Sequence, residues 1–331
     1  MDRISWLDYG KCICMLLVIY SHTVYMYTGS LNVFLELMTP TRLIVFFFIS
    51  GYLIKIDKFD FKRTMISIVK KLLFPYLLFT SIIFIPKHLA HGTELSISAM
   101  LYEILGGYAS WFVAALAVSK ITLSLCIKYI KNNILLLGIV CIILAVSGFI
   151  LTQYVTIPIP WYAHYGLISL IYLYLGILYK KYEDILSKRI KLQAIISIVL
   201  YAICVSLDFF YFKNSTFYFA LKPGEVSILG IFSFLILSLL GIWMMVSIVK
   251  LIPNNVNWML YIGKNSLTHY YLNTGLLLVL ITIINKIGIE YNSLYVYPLF
   301  VVVVITLNAI SKLILRFAPW MVGNFKNSSN K

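Results

Sequence analysis

Three ionisable residues near the start of the chain, Asp8, Lys11 and His22, stand in a spacing that suits proton chemistry within SWLDYGKCICMLLVIYSHTVY. On a helix turning about 100° per residue, the step from Lys11 to His22 ends about 20° beyond whole turns, so the two share one face, roughly 16 Å apart along the axis. Asp8 falls within about 40° of His22 on the same stripe. A neutral imidazole can take a proton from a hydroxyl near neutral pH, which makes His22 a candidate general base. The competing reading is a packing histidine hydrogen-bonded to a neighbouring helix. Either way, charged groups inside an apolar run are costly and each needs a reason.

The elements that must position these residues are membrane helices. Hydrophobic residues make up 61% of the 331 residues and charged residues 12%, against roughly 45–50% and about 25% in a soluble globular chain. The apolar residues come in runs near the length a helix needs to cross a bilayer. Backbone groups in lipid must be satisfied internally, and the short alternating segments of a barrel are absent. The expected fold class is all-α, a polytopic membrane protein with about ten transmembrane helices at 6–27, 42–56, 72–86, 110–127, 134–153, 161–179, 192–212, 226–249, 266–285 and 294–315.

Loop charges orient this array. Both termini and the loops on their side carry 21 Lys and Arg; the opposite loops carry five, Arg42, Lys87, Lys213, Lys222 and Lys286, and Lys120 sits inside a span. Positive charge collects on the cytoplasmic side, so both ends are expected inside. This also accounts for the net charge of +15, which in a soluble protein would point to nucleic acid; no nucleic-acid partner is expected. Tyr154, Trp161, Tyr162 and Tyr165 read as anchors at an outer boundary, Trp258 and Tyr261 at an inner one. Segment 55–71 is basic and amphipathic, suited to lying on the cytoplasmic surface. One transmembrane domain, 1–322, and a polar cytoplasmic tail, 323–331, are expected, with no cleavable signal.

Other candidates carry less. The five cysteines lie in apolar runs and read as small buried hydrophobes. His88, His91 and Glu94 read as solvated residues of an external loop and not as a metal site. His164 beside Trp161 reads as interfacial. Ser50-Gly51 lacks the elbow of a hydrolase serine, and Gly106-Gly107 does not form a phosphate loop.

The first span resembles the opening of the acyltransferase 3 family of membrane O-acyltransferases, in which a basic residue, ten intervening residues and then a histidine recur; Lys11 and His22 have that spacing. TRLIVFFFISGYLI, KKLLFPYLLF, GGYASWFVAAL, YLYLGILYKK and GKNSLTHYYLN resemble later landmarks of the family, in order. The resemblance implies transfer of an acyl group, usually acetyl from acetyl-CoA, to a hydroxyl of a cell-envelope sugar in the cell (inner) membrane, with no permanently bound cofactor. It implies His22 as catalytic residue, with Lys11 and Arg42 at motif positions, and Trp111 marks the Gly-rich landmark. Two departures stand out. Relatives often carry paired arginines before the "LL-PY" element, where this chain has Ile68 and Lys71 beside Lys70. Many place a histidine where this chain has Asn273, and His269 reads as a packing residue.

Lys11, Lys70 and Lys71 are then candidates to hold donor phosphates on the inner side, with anchoring of the helix ends as the alternative for Lys70 and Lys71. Arg42 is a candidate for oxyanion stabilisation, and Asp208 for orienting the imidazole, against the alternative of a solvated interfacial carboxylate. Acceptor specificity is expected in the external segments 28–41, 87–109 and 213–225. The main functional alternative is a transporter or flippase for lipid-linked sugars, although the paired repeats common in such folds are not evident. A sensor or scaffold is a third.

Overall fold

The computed structural model describes residues 4–91, 95–130, 133–212, 228–288 and 292–325. The described residues are helical, with no strand. In chain order the helices are α1 Ser5–Thr28, α2 Val33–Arg42, α3 Ile44–Tyr52, α4 Phe61–Ile68, α5 Phe74–His91, α6 Ile97–Leu105, α7 Trp111–Ile130, α8 Ile134–Tyr154, α9 Ala163–Ile168, α10 Leu170–Lys181, α11 Glu183–Leu186, α12 Ile190–Leu207, α13 Ile228–Val249, α14 Asn257–Lys264, α15 Ser266–Ile287 and α16 Val296–Phe317. Among the described residues, eight straight or gently bent runs are long and apolar enough to cross a membrane, and the pair α9–α10, bent by 45°, makes a ninth if it is one span. α1, expected as the first span, has 24 residues and reaches about 36 Å.

Local chemistry sets the ends. Gly29 closes α1 at φ 81, its N–H bonded to the Tyr25 carbonyl at 2.9 Å, a left-handed cap that glycine supplies without strain. Asn32, Asp60 and Asn133 accept the first free N–H groups of α2, α4 and α8.

Two boundaries differ from expectation. The second span runs over 33–52, not 42–56. Glu36, Thr39, Pro40 and Arg42 make α2 read as an external loop, yet the polar groups are satisfied inside the bundle. Tyr201 donates to the Leu37 carbonyl at 2.6 Å, Thr41 Oγ1 bonds to the Tyr201 hydroxyl at 3.0 Å, and Thr39 donates to the Leu35 carbonyl. Neighbouring helices thus support the turn that Pro40 weakens. Arg42 therefore belongs to a span and drops out of the external loop count. The third span is one run over 61–88. The basic segment expected to lie on the surface instead forms α4 and passes through a π-helical turn, Val69–Leu73, into α5. The external segment 87–109 likewise contains the end of α5 and all of α6, and 213–225 lies outside the described residues. Of the expected tail, Phe325 packs on Phe74 and under Lys70, and residues beyond 325 lie outside the described residues.

α1 is central, touching α2, α3, α13, α14, α15 and α16. Glycines bring backbones together around it. A Cβ on Gly51 of α3 would meet the Leu173 carbonyl oxygen at 1.8 Å, and one on Gly176 of α10 would meet the Phe48 oxygen at 2.1 Å. Gly263 of α14 sits as tightly on Asp8, at 1.9 Å. Small residues at such crossings are the means by which membrane helices approach closely. Several of the sequence landmarks are therefore packing positions.

Candidate functional site

The polar stripe of α1 opens into two cavities. The outer one, about 260 Å3, is lined by His22 of α1, Thr80 and Lys87 of α5, Glu103 of α6, Trp111 of α7 and Tyr270, Tyr271 and Thr274 of α15, among others. His22 Nδ1 lies 2.8 Å from Asn273 Nδ2 of α15, and Asn273 is fully buried. A side-chain amide offers either its NH2 or its carbonyl to a ring nitrogen, so it can fix either tautomer. With Oδ1 turned to accept from Nδ1–H, Nε2 keeps its lone pair for chemistry. Arg42 ends α2 at the α2–α3 break and does not line this cavity.

The mouth of the outer cavity is fixed by a locked loop. Trp161 donates its backbone N–H to the Gly106 carbonyl at 2.7 Å and its indole N–H to the Leu105 carbonyl at 2.9 Å, and Tyr108 donates to the Pro158 carbonyl. Gly107, at φ 82, leaves no room for a Cβ against Trp161, and Trp161 and Tyr162 themselves hold φ of 56 and 46. Strained backbone of this kind persists where its surroundings over-determine it. Gly106-Gly107 thus shapes the mouth instead of holding phosphate. Within the cavity Lys87 pairs with Glu103 at 2.8 Å, and His88 Nε2 lies 3.5 Å from the same carboxylate. His88 is helical and not in a loop; the His91 side chain and Glu94 lie outside the described residues, and no metal-binding cluster is present among those described.

The inner cavity, about 200 Å3, is lined by three lysines, Lys11 of α1, Lys71 of the π turn and Lys120 of α7, with Ser50, Ser67 and Ser266. Asp8 is buried and pairs with Lys11 at 2.7 Å. Among the described residues no carboxylate pairs with Lys71 or Lys120. The extra residue in the π turn shifts the register at Val69–Leu73: Lys71 lines the cavity, while the Lys70 ammonium lies over the Phe325 ring, 5.7 Å from its centroid. Such turns recur at functional sites.

Tyr270 lines both cavities. Its ring packs on Phe112, 5.2 Å between centroids, and its hydroxyl receives a hydrogen bond from Ser110 Oγ at 3.3 Å. The two cavities thus meet at one side chain.

Residues 4–312 match the model of the acyltransferase 3 family, described as an acyltransferase domain. The chain belongs to this family. No curated protein and no solved structure gives a match. The acyltransferase 3 assignment agrees with a multi-pass membrane acyltransferase and with the landmark order read from the sequence.

Of the residues singled out in the sequence, His22 and Trp111 share the outer cavity and Lys11 and Lys71 the inner one, with Asp8 bound to Lys11. Lys70 is elsewhere. Asp208, in the turn after α12, accepts a hydrogen bond from Ser233 of α13, and the group bonded to the His22 ring is Asn273. His269 has both ring nitrogens engaged, Nδ1 with the Asn265 carbonyl and Nε2 with Asn308 Oδ1, as a packing histidine would. The sequence reading missed Asn273, Tyr270, Glu103 and Lys120 as site residues. Lys120 had a visible signal, a charge inside a span, and Asn273 stood out as a departure from a landmark histidine.

Proposed function

We propose that this protein is an O-acyltransferase of the cell (inner) membrane that moves an acetyl group from cytoplasmic acetyl-CoA to a hydroxyl of a cell-surface sugar or a lipid-linked sugar, such as O-antigen or capsule. The observation that carries the reading is the pair of unlike cavities at opposite ends of one helix stripe, meeting at Tyr270. The loop charges put the lysine cavity on the cytoplasmic side and both termini inside. Three lysines offset by one carboxylate suit an anionic ligand, and the donor's phosphates supply one. The pantetheine arm has about twelve main-chain bonds, four residues' worth, so roughly 14 Å extended. That is close to the axial gap of about 16 Å between Lys11 and His22. The catalytic unit is a single membrane domain, 1–322, followed by the polar segment 323–331.

The step balances with His22 alone as proton carrier. Nε2 takes the proton of the acceptor hydroxyl as its oxygen attacks the thioester carbonyl. The tetrahedral intermediate carries its negative charge within the field of Arg42. The C–S bond then breaks, the sugar ester forms, and the leaving thiolate takes the proton back from the imidazolium. With the Asn273 amide turned so that Oδ1 accepts from Nδ1–H, the ring is held in the tautomer this requires. Acetyl transferred first to His22 and then to the sugar is the two-step variant.

The test uses membranes containing the protein and acetyl-CoA labelled in the acetyl group. Label should pass to glycan with the native protein and not with His22→Ala. Label that stays on CoA while a sugar substrate crosses the membrane would replace this reading with the transporter. Undiminished transfer by His22→Ala would remove the assigned base.

A further inference from the structure

A third cavity, about 610 Å3, lies apart from the stripe of α1, between α10 and the packed pair α12–α13, with Phe48 of α3 behind it. Along α13 it extends from Leu239 to Ser247, about 12 Å at 1.5 Å per residue. Leu175, Leu178, Leu239, Ile242 and Val246 make most of that length apolar.

Its polarity is gathered at one end. Ser247 is 1% exposed and lines the cavity, and its Oγ has no hydrogen-bond partner among the described residues. A buried hydroxyl in that state needs an acceptor. Towards the rim, Gln193 Nε2 donates to the carbonyls of Leu186 and Lys188, both at 2.7 Å, and Trp243 donates its indole N–H to Gln193 Oε1 at 3.1 Å. These bonds fix the turn that carries Lys188 and Arg189. Arg189 sits at φ 55, a conformation non-glycine residues seldom hold. Lys181, Lys188, Arg189 and Lys191 are exposed and adjoin, in sequence, the lining residues Tyr182, Leu186 and Gln193. Of the two acids there, Glu183 is taken up by Lys250 at 2.6 Å and by the Tyr52 hydroxyl, leaving Asp184 against four cations.

The order is exposed cations on a turn held by Gln193, then a hydroxyl lacking an acceptor, then a hydrocarbon groove. We infer that the cavity binds one anionic glycerophospholipid. Its phosphate meets Lys188 and Arg189, an ester carbonyl accepts from Ser247 Oγ, and the acyl chain lies along Leu239 and Leu175. Basic pockets between spanning helices hold anionic headgroups in this way. Unselected surrounding lipid would account for the apolar wall but not for the buried hydroxyl or the built rim. The inference does not depend on acyl transfer.

Trp243 lines the cavity and reports its occupant. The full-length protein is placed in phosphatidylcholine vesicles containing a rising fraction of phosphatidylglycerol brominated on its chains, and Trp243→Phe supplies the background of the other tryptophans. Half-quenching of the Trp243 signal should come at a mole fraction about fivefold lower, or less, than with brominated phosphatidylcholine. Lys188→Gln with Arg189→Gln should erase that preference, and Ser247→Ala should weaken binding of both lipids a few-fold. If the double variant does not fold, loss of the preference in the native protein at high salt serves instead. Equal quenching by the two lipids, or no quenching of Trp243 by either, overturns the inference. So does displacement by a polyprenyl phosphate that is more potent than displacement by unbrominated phosphatidylglycerol.

Discussion

The two cavities along α1 share a helix and one tyrosine but almost no chemistry. The outer one holds a single imidazole bonded to a buried amide, a lysine already paired with a glutamate, and a wall of tyrosine and tryptophan. The inner one holds three lysines and serines, with one carboxylate in attendance. The outer cavity suits a neutral ligand with hydroxyls and apolar ring faces, whereas the inner one lacks anions to balance its cations. The difference teaches that substrate class in a membrane site is written in how far the charges are already satisfied, more than in how many there are. It also yields a division of labour that kinetics can test, because damage to the two cavities should fall on different parameters.

The largest effect belongs to His22. His22→Ala should lower kcat by about 10²-fold or more, the usual share of a positioned base, with KM for acetyl-CoA nearly unchanged. A main effect on that KM would put His22 in donor binding and break the comparison. Next is Asn273. Asn273→Ala frees the ring to turn and take the other tautomer, and kcat should fall about tenfold. Asn273→Asp should keep most of the activity, since a carboxylate also accepts from Nδ1–H. If both variants lose activity equally, the amide acts through packing and not through the ring.

The inner cavity predicts the opposite pattern. Lys71→Gln and Lys120→Gln should each raise KM for acetyl-CoA about tenfold, the cost of one lost hydrogen bond to a charged group, with kcat little changed. Lys70→Gln is the internal control. Its side chain lies over Phe325, outside the cavity, so KM should move less than about twofold. Equal effects at Lys70 and Lys71 would mean that the π turn does not sort the two lysines and that both act only as membrane anchors.

Much of this was legible in the sequence, because membrane architecture is written in long apolar runs and in loop charge. Most of the spans, the shared face of Lys11 and His22 and the order of the family landmarks could be read from local patterns. The second span could not, because α2 is polar and contains Pro40, and its stability comes from Tyr201, more than 150 positions away in the chain. Asn273 was visible as a departure from a landmark histidine, but its partner was hidden for the same reason, 251 residues away in the chain. The division between Lys70 and Lys71 depends on a π turn, which leaves no mark in periodicity. Gly51 and Gly176 were visible as landmarks, but their reason, contact of backbone with backbone, needs the partner helix.

The smallest effect sits where the two cavities meet. Tyr270→Phe keeps the ring on Phe112 and removes only the hydroxyl held by Ser110 at 3.3 Å. A lost neutral hydrogen bond is worth about 1 kcal/mol, enough to loosen the ring without removing the partition. Acetyl transfer to glycan should change by a few-fold at most. Hydrolysis of acetyl-CoA in the absence of acceptor should rise by a similar factor, because the side chain separating thioester from outer water is less firmly held. Tyr270→Ala removes the partition itself, so acceptor-independent hydrolysis should rise further while KM for acetyl-CoA stays near that of the native protein. That ordering, native below Phe below Ala, is specific to a partition. Hydrolysis that stays flat across the series while donor KM climbs would make Tyr270 a wall of the donor cavity alone, and the two cavities would then not communicate through it.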